Sequence, residues 1–239
     1  MPPDPFTDGV KAAHLALNQE THVRPVLGEP FKCRTVACIG TGPSLRREQI
    51  SAARNKGFAL VGCNFVWHDV PDLDVLWATN HDWWQSEWGS ELESYPAQKW
   101  TVSREAADKF SLNWIAEKDA PGLSSDPRVI HHGHGSGYSM LNLAYLMGAA
   151  RIVLLGYDLK YAPDYDGRNR RIGSSPRHYF GEYAPHLQHW PSVCVKDGVH
   201  FDLVSRYGEV AKQAAVEIIN CTPASALKCF PSMDIECLQ

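Results

Sequence analysis

No apolar run in the chain approaches the roughly 18 residues that a membrane-spanning helix needs. No Cys-x-x-Cys pair occurs among its seven cysteines, Cys33, Cys38, Cys63, Cys194, Cys221, Cys229 and Cys237, and the odd number argues against a disulfide framework. Positive charge is not in excess: 23 Lys and Arg stand against 27 Asp and Glu, a net charge of −4, so the chain as a whole carries no electrostatic footprint for nucleic acid. Internal repeats and low-complexity tracts are missing, and the first residues show no basic stretch leading into an apolar one. The expectation is a soluble, cytoplasmic protein with reduced, mostly core cysteines. What is plentiful is tryptophan, with eight, and histidine, with eleven, most of them between Trp67 and His200.

The run Thr35-Val36-Ala37-Cys38-Ile39 followed by Gly40-Thr41-Gly42-Pro43-Ser44 reads as a buried strand feeding a helix of residues 45–56, with Gly57 as the C-terminal stop. Amides at such a junction can hold an anion, and Gly40 and Gly42 would let it approach the main chain. Pro43 suits the first helical position or the turn before it, and Ser44 suits a helix cap or a donor to phosphate. The third glycine of a dinucleotide fingerprint and the Gly-Lys-Ser/Thr ending of a P-loop are both missing, so the segment also fits a simple tight turn. Residues 58–64 form a second strand ending in Asn64, and 73–80 a third ending in Asn80. An aromatic helix follows over 81–88. Residues 99–103 read as a strand, 105–110 as a helix, and 118–127 as a loop. Gly135-Ser136-Gly137 opens an apolar helix over 138–147 that Gly148 stops, and residues 150–158 are a strand ending in Asp158. Strand and helix alternate, which predicts an α/β fold: a doubly wound, mostly parallel Rossmann-like sheet. Ligands of such sheets sit beyond the carboxyl ends of the strands, where Asn64, Asn80 and Asp158 fall. Regular pattern fades between 160 and 200, as in a lid or binding loop. The expected layout is an arm over 1–32, with one short helix over 10–18, a nucleotide-binding domain over 33–159 and a lid over 160–200. A final helix and strand over 201–239 complete the sheet.

With these pieces placed, the chain resembles the bacterial family 42 sialyltransferases and the related flagellin-modification and 6-hydroxymethylpterin diphosphokinase-like proteins. Gly40-Thr41-Gly42-Pro43-Ser44-Leu45 is similar to their Gly-Asn-Gly-Pro-Ser-Leu, Cys63-Asn64 to their second-strand Cys-Asn, and Asn80 to an Asn after the third strand. Gly135-Ser136-Gly137-Tyr138-Ser139-Met140 is similar to Thr-Ser-Gly-x-Tyr-Met, and Gly156-Tyr157-Asp158-Leu159-Lys160-Tyr161 to a Gly-Ile-Asp-Phe-Tyr element. Order and spacing agree over residues 36–161. The resemblance implies a donor nucleotide sugar held by the glycine turn and the strand-end asparagines, with a catalytic histidine in the lid. Thr41 departs from the Asn of the transferases, and the lid does not align.

Glycosyl transfer needs charge stabilisation at the departing phosphate and a base for the acceptor proton. Ser136 and Gly137, at a helix start, suit phosphate, or they cap a helix that binds nothing. Asn64 and Asn80 suit base or sugar hydroxyls, or strand-end turns. His178 is the candidate base, since histidine titrates near neutrality; His131, His132, His134, His186 and His189 are rivals. Arg177, with Arg168, Arg170 and Arg171, could clamp a diphosphate or an acidic acceptor, or form a solvated basic loop. Tyr161 and Tyr179 are candidate phosphate donors. Trp83, Trp84 and Trp88 are read chiefly as core, with sugar or base stacking as the alternative. His131-His132-x-His134 fits no zinc pattern, and of Asp72-x-Asp74 and Asp164-x-Asp166 only the second sits where a sugar-nucleotide metal would. No metal ligand is assigned and no resident cofactor is required, a divalent metal being an open but not favoured alternative. The leading expectation is a small bacterial or phage glycosyltransferase using a CMP- or UDP-type sugar, its acceptor a glycan, a protein hydroxyl or a modified nucleobase. Association into homo-oligomers is compatible with the sequence. An Mg²⁺-dependent ATP diphosphokinase and a non-catalytic nucleotide-binding protein are the alternatives.

Overall fold

Aliphatic runs without polar alternation form strands that are covered on both faces. The computed structural model describes residues 27–160, 178–187, 195–196 and 199–239. Its first half contains β1 (Thr35–Ile39), α1 (Arg47–Asn55), β2 (Ala59–Cys63), β3 (Val75–Trp77), α2 (His81–Glu87), α3 (Ser90–Ser94), β4 (Gln98–Thr101), α4 (Arg104–Phe110) and β5 (Asn113–Trp114). There follow β6 (Ala116–Lys118), β7 (Val129–His131), α5 (Ser136–Leu146), β8 (Arg151–Leu155), β9 (Val195–Lys196), β10 (Val199–His200), α6 (Phe201–Gln213) and β11 (Glu217–Asn220).

Seven strands make one all-parallel sheet in the order β11-β8-β1-β2-β3-β4-β5, a Rossmann-like α/β arrangement. The chain steps outward from β1 to β5 and then returns to the other flank of β1 with β8 and β11. That reversal opens a crevice beyond the ends of β1 and β8. Period-two alternation divides the core between the faces. Val36, Cys38, Val61 and Leu154 pack with Met140, Leu141 and Ala144 of α5 and with Tyr207 and Val210 of α6. Ala37, Ile39, Leu60 and Val153 pack with Ile50 and Ala53 of α1 and with Trp84 of α2. Helix α5 is buried continuously from Tyr138 to Ala144, as expected of a helix apolar all round. Burying one such side chain, Leu141, contributes about 1.5–3 kcal/mol.

Gly57 (φ +71°) and Gly148 (φ +86°) stop α1 and α5 as expected, their amides donating to Arg54 and Tyr145 carbonyls at 2.9 and 3.0 Å. The start of α1 differs from expectation. It begins at Arg47, with the Arg46 amide donating to Gln49 Oε1 at 3.1 Å, so Pro43 takes the second of its two expected places, the turn before the helix, and Ser44 is not the cap. Tertiary demand is the reason, because Ser44 is tied to Asp158. Strands β5 and β6 are too short for a sequence pattern to reveal. Phe31, in the expected arm, is buried, and its amide donates to the Met147 carbonyl at 3.0 Å. The expected helix over 10–18 lies outside the described residues. Among the described residues no helix is long and apolar enough to cross a membrane.

Candidate functional site

At the switch between β1 and β8 lies a cavity of about 580 Å³, within the usual range for a small-molecule site. Of the anticipated residues, Gly40, Thr41, Gly42, Pro43, Asn64, Asn80, Ser136, Gly137, Asp158 and His178 line it. The first glycine turn and the start of α5, 94 positions apart (Ser136 against Gly42), thus meet on one chamber.

The two glycine segments differ in what their amides do. Gly40 N–H donates to the Leu155 carbonyl at 2.8 Å and Gly42 N–H to the Gly156 carbonyl at 2.9 Å, so both are engaged by the end of β8 and the residue after it. The glycines are needed for close approach: a Cβ on Gly42 would lie 2.0 Å from Asp158 Oδ2 and 2.5 Å from the Gly156 carbonyl oxygen. The Gly40 and Gly42 amides are therefore taken within the protein, while Gly40, Thr41, Gly42 and Pro43 together form this part of the cavity wall. At the second segment α5 starts at the cavity wall. Gly135 is its N-cap in extended conformation, and Tyr157 Oη donates to the Gly137 carbonyl at 2.9 Å, which fixes the first turn of α5 against the end of β8. First-turn amides carry the partial positive charge that attracts an anion.

Asp158 is 6% exposed, and its Oδ2 accepts from Ser44 Oγ at 2.9 Å and from the Ser44 amide at 3.4 Å. Burial raises its pKa above the ordinary carboxylate value, opposed by the Ser44 hydrogen bonds and the nearby Lys160 charge. Ser44 thus acts on the cavity through Asp158 and does not line it. Asn64 adopts a left-handed conformation (φ +51°) at the end of β2. Asn80 caps α2, with Oδ1 accepting from the Asp82 amide at 2.8 Å, so the capping reading and a place on the cavity hold together.

His178 is fixed over the glycine turn. Its Nδ1 lies 3.1 Å from Thr41 Oγ1, its ring stacks on Phe180 with centroids 5.1 Å apart, and the next amide, of Tyr179, donates to the Thr41 carbonyl at 3.1 Å. Tyr179 does not line the cavity; its hydroxyl donates to the Phe65 carbonyl at 3.4 Å and anchors the segment instead. Burial pushes its phenol pKa up. Tyr161, Arg177, Arg168, Arg170, Arg171, Asp164, Asp166 and His189 lie outside the described residues, and of His186 only the backbone is described.

Of the rival histidines, His131 turns away, with Nδ1 3.0 Å from the Gly122 carbonyl oxygen. His132 and His134 line the cavity at the mouth: His132 Nδ1 accepts from the His134 amide at 3.2 Å, and Arg206 of α6 lies 2.7 Å from His134 Nε2. No group of three or more His, Cys, Asp or Glu able to hold a metal ion occurs among the described residues. Sequence reasoning missed Lys160, Thr79, Tyr183, His200 and Leu203, which also line the chamber. Lys160 and Thr79 each follow a strand end, the one signal that could have marked them; His200 and Leu203 arrive with the start of α6. The His200 amide donates to the Leu159 carbonyl at 3.0 Å, and burial lowers its imidazole pKa. Asp158, Lys160 and His200 reach the cavity from the segment after β8 and the start of α6, Asn64, Thr79, Asn80 and Trp83 from the ends of β2 and β3, and His178 from over the turn after β1. Comparison with known proteins finds no match to this chain, whether among protein-family models, curated proteins or solved structures.

Proposed function

We propose that the protein is a glycosyltransferase that moves a sugar from a CMP- or UDP-type donor to an acceptor hydroxyl. One observation carries this reading: a single chamber at the switch point gathers two strand-end asparagines, the start of α5 and an imidazole oriented by Thr41. In this reading the first turn of α5 and Lys160 receive the donor phosphate, whose negative charge grows as the sugar–oxygen bond breaks. Asn64, Asn80 and Thr79 offer the uncharged donors and acceptors that base and sugar hydroxyls need. His178 takes the acceptor proton while the acceptor oxygen bonds to the anomeric carbon and the nucleotide departs with the electron pair. Thr41, 3.1 Å from Nδ1, sets the ring orientation, as an effective base requires. No resident cofactor or metal enters this scheme.

A thermal-shift screen with CMP, UDP and their sugar conjugates tests it. A ligand at 100 times its dissociation constant adds about 2.7 kcal/mol of stability. His178→Ala is expected to keep that shift and to lose turnover about 10²- to 10⁴-fold. Turnover equal to the parent removes His178 from the mechanism, and no response to any nucleotide removes the reading.

A further inference from the structure

Beyond His178 the chain makes a tight turn. The His178 amide donates to the Gly181 carbonyl at 3.2 Å and the Gly181 amide to the His178 carbonyl at 3.0 Å, with Gly181 at φ +108°, which glycine adopts without strain. The turn folds Tyr183 back onto the imidazole. Their rings meet edge-on with centroids 4.7 Å apart, and Phe65 and Phe180 hold the phenol at 5.0 and 5.2 Å. So placed, Tyr183 is hydrogen-bonded through its hydroxyl to the side chains of both Thr41 and Asn64. Thr41 Oγ1 in turn lies 3.1 Å from His178 Nδ1. The turn after β1, the end of β2 and the segment 178–187 thus contribute to one line of side chains, His178, Thr41, Tyr183 and Asn64, and all of them line the chamber.

Proton counting limits what this line can do. Its three links need three protons and the two hydroxyls supply one each, so the third comes from one end, either His178 Nδ1 or the Asn64 amide. Burial pushes the Tyr183 phenol above its ordinary pKa, so it keeps its proton and stays a donor. If Asn64 donates, every link points toward the imidazole and Thr41 gives its proton to Nδ1. That leaves His178 with Nε2–H and no free lone pair. If His178 donates, the line ends on the Asn64 carbonyl oxygen and Nε2 carries the lone pair.

We infer that Tyr183 is a positioning residue, whose hydroxyl joins Thr41 to the Asn64 carbonyl oxygen and so holds His178 as the Nδ1–H tautomer with Nε2 able to accept a proton. The direction of the line rests on the glycosyl-transfer reading, which needs a base; the hydrogen bonds themselves do not.

The test is Tyr183→Phe, which keeps the ring and its aromatic contacts and removes the hydroxyl. Ring-nitrogen NMR of the unliganded, histidine-labelled protein, above the titration range of imidazole, reads the tautomer of His178, with His178→Ala assigning the signal. The parent is expected to show Nδ1–H and Tyr183→Phe to lose it, since Thr41 is then free to turn its own proton onto Nδ1. Asn64→Gly, which suits the left-handed φ of +51° and removes the terminal acceptor while leaving Tyr183 in place, is expected to lose it too. Asn64→Asp, whose carboxylate only accepts, is expected to retain it. In the transferase assay Tyr183→Phe should lower kcat about 10- to 10²-fold while the dissociation constants of CMP and UDP stay within about twofold. Nε2–H in the parent overturns the inference, as does an unchanged His178 tautomer in folded Tyr183→Phe or Asn64→Gly. Those results leave the transferase reading to its own nucleotide screen. The expected tautomers in a parent that binds no nucleotide and transfers no sugar keep the inference about the side-chain line and remove the reading.

Discussion

The two glycine-serine segments look alike in sequence but do different work. Gly40-Thr41-Gly42-Pro43-Ser44 lies where two neighbouring strands finish, and its two glycine amides and its serine are bound to Leu155 at the end of β8 and to Gly156 and Asp158 just beyond it. Gly135-Ser136-Gly137 begins a long buried helix, and no side chain caps it. The first is a joint and the second is an open end. A strand-helix boundary rich in glycine therefore does not by itself specify an anion site; what matters is whether the amides already have partners.

The largest expected break of this comparison is Gly42→Ala. A methyl 2.0 Å from Asp158 Oδ2 and 2.5 Å from a backbone oxygen forces the joint apart, at a cost of about 3 kcal/mol or more in urea unfolding. Gly135→Ala is the control: its methyl would meet only Leu203, at 3.6 Å, and should cost no more than the roughly 1 kcal/mol of a poorer N-cap residue. A large loss in Gly135→Ala would put both segments in one class.

The serines sharpen the contrast further. Ser44→Ala removes a 2.9 Å hydrogen bond to a buried carboxylate and should cost about 1.5–3 kcal/mol in thermal unfolding. Ser136→Ala should leave stability within about 0.5 kcal/mol, since Gly135 is the N-cap, and should weaken nucleotide binding several-fold by calorimetry.

The smallest effect is the pH dependence of the chamber wall. Burial lowers the folded pKa of His200, so the unfolded chain takes up the proton first as pH falls. Its contribution is present above the unfolded value of 6.5 and is lost as pH drops through the folded one. Asp158 has the opposite sign: its raised folded pKa makes it contribute less as pH rises from 3.8. The fall in Tm from pH 7.5 to 5.5 should be shallower in His200→Gln than in the parent. An identical slope would show that His200 is solvated.

Much of the fold was legible because β1, β2 and β8 are unbroken aliphatic runs and because Gly57 and Gly148 punctuate helices with positive φ. Strand ends then located Asn64, Asn80 and Asp158 by topology alone. The displaced start of α1 was not legible, since Ser44 binds a carboxylate 114 positions away. Nor was the engagement of the Gly40 and Gly42 amides, because hydrogen bonds between distant strands leave no local pattern. His200 and Leu203 escaped for the same reason: they reach the chamber from the end of β10 and the start of α6, more than 40 positions after the strand end they pack beside.

Strand β1 is matched on one side with a close neighbour in the chain, Val36 beside Ala59, and on the other with a remote one, Val36 beside Ile152. Local pairings close small loops and form readily, while remote ones must wait for most of the polypeptide to be in place. The chamber lies along the seam between the two. It comes into being only when the second half docks on the first, so whatever molecule settles there also fastens the final stage of assembly.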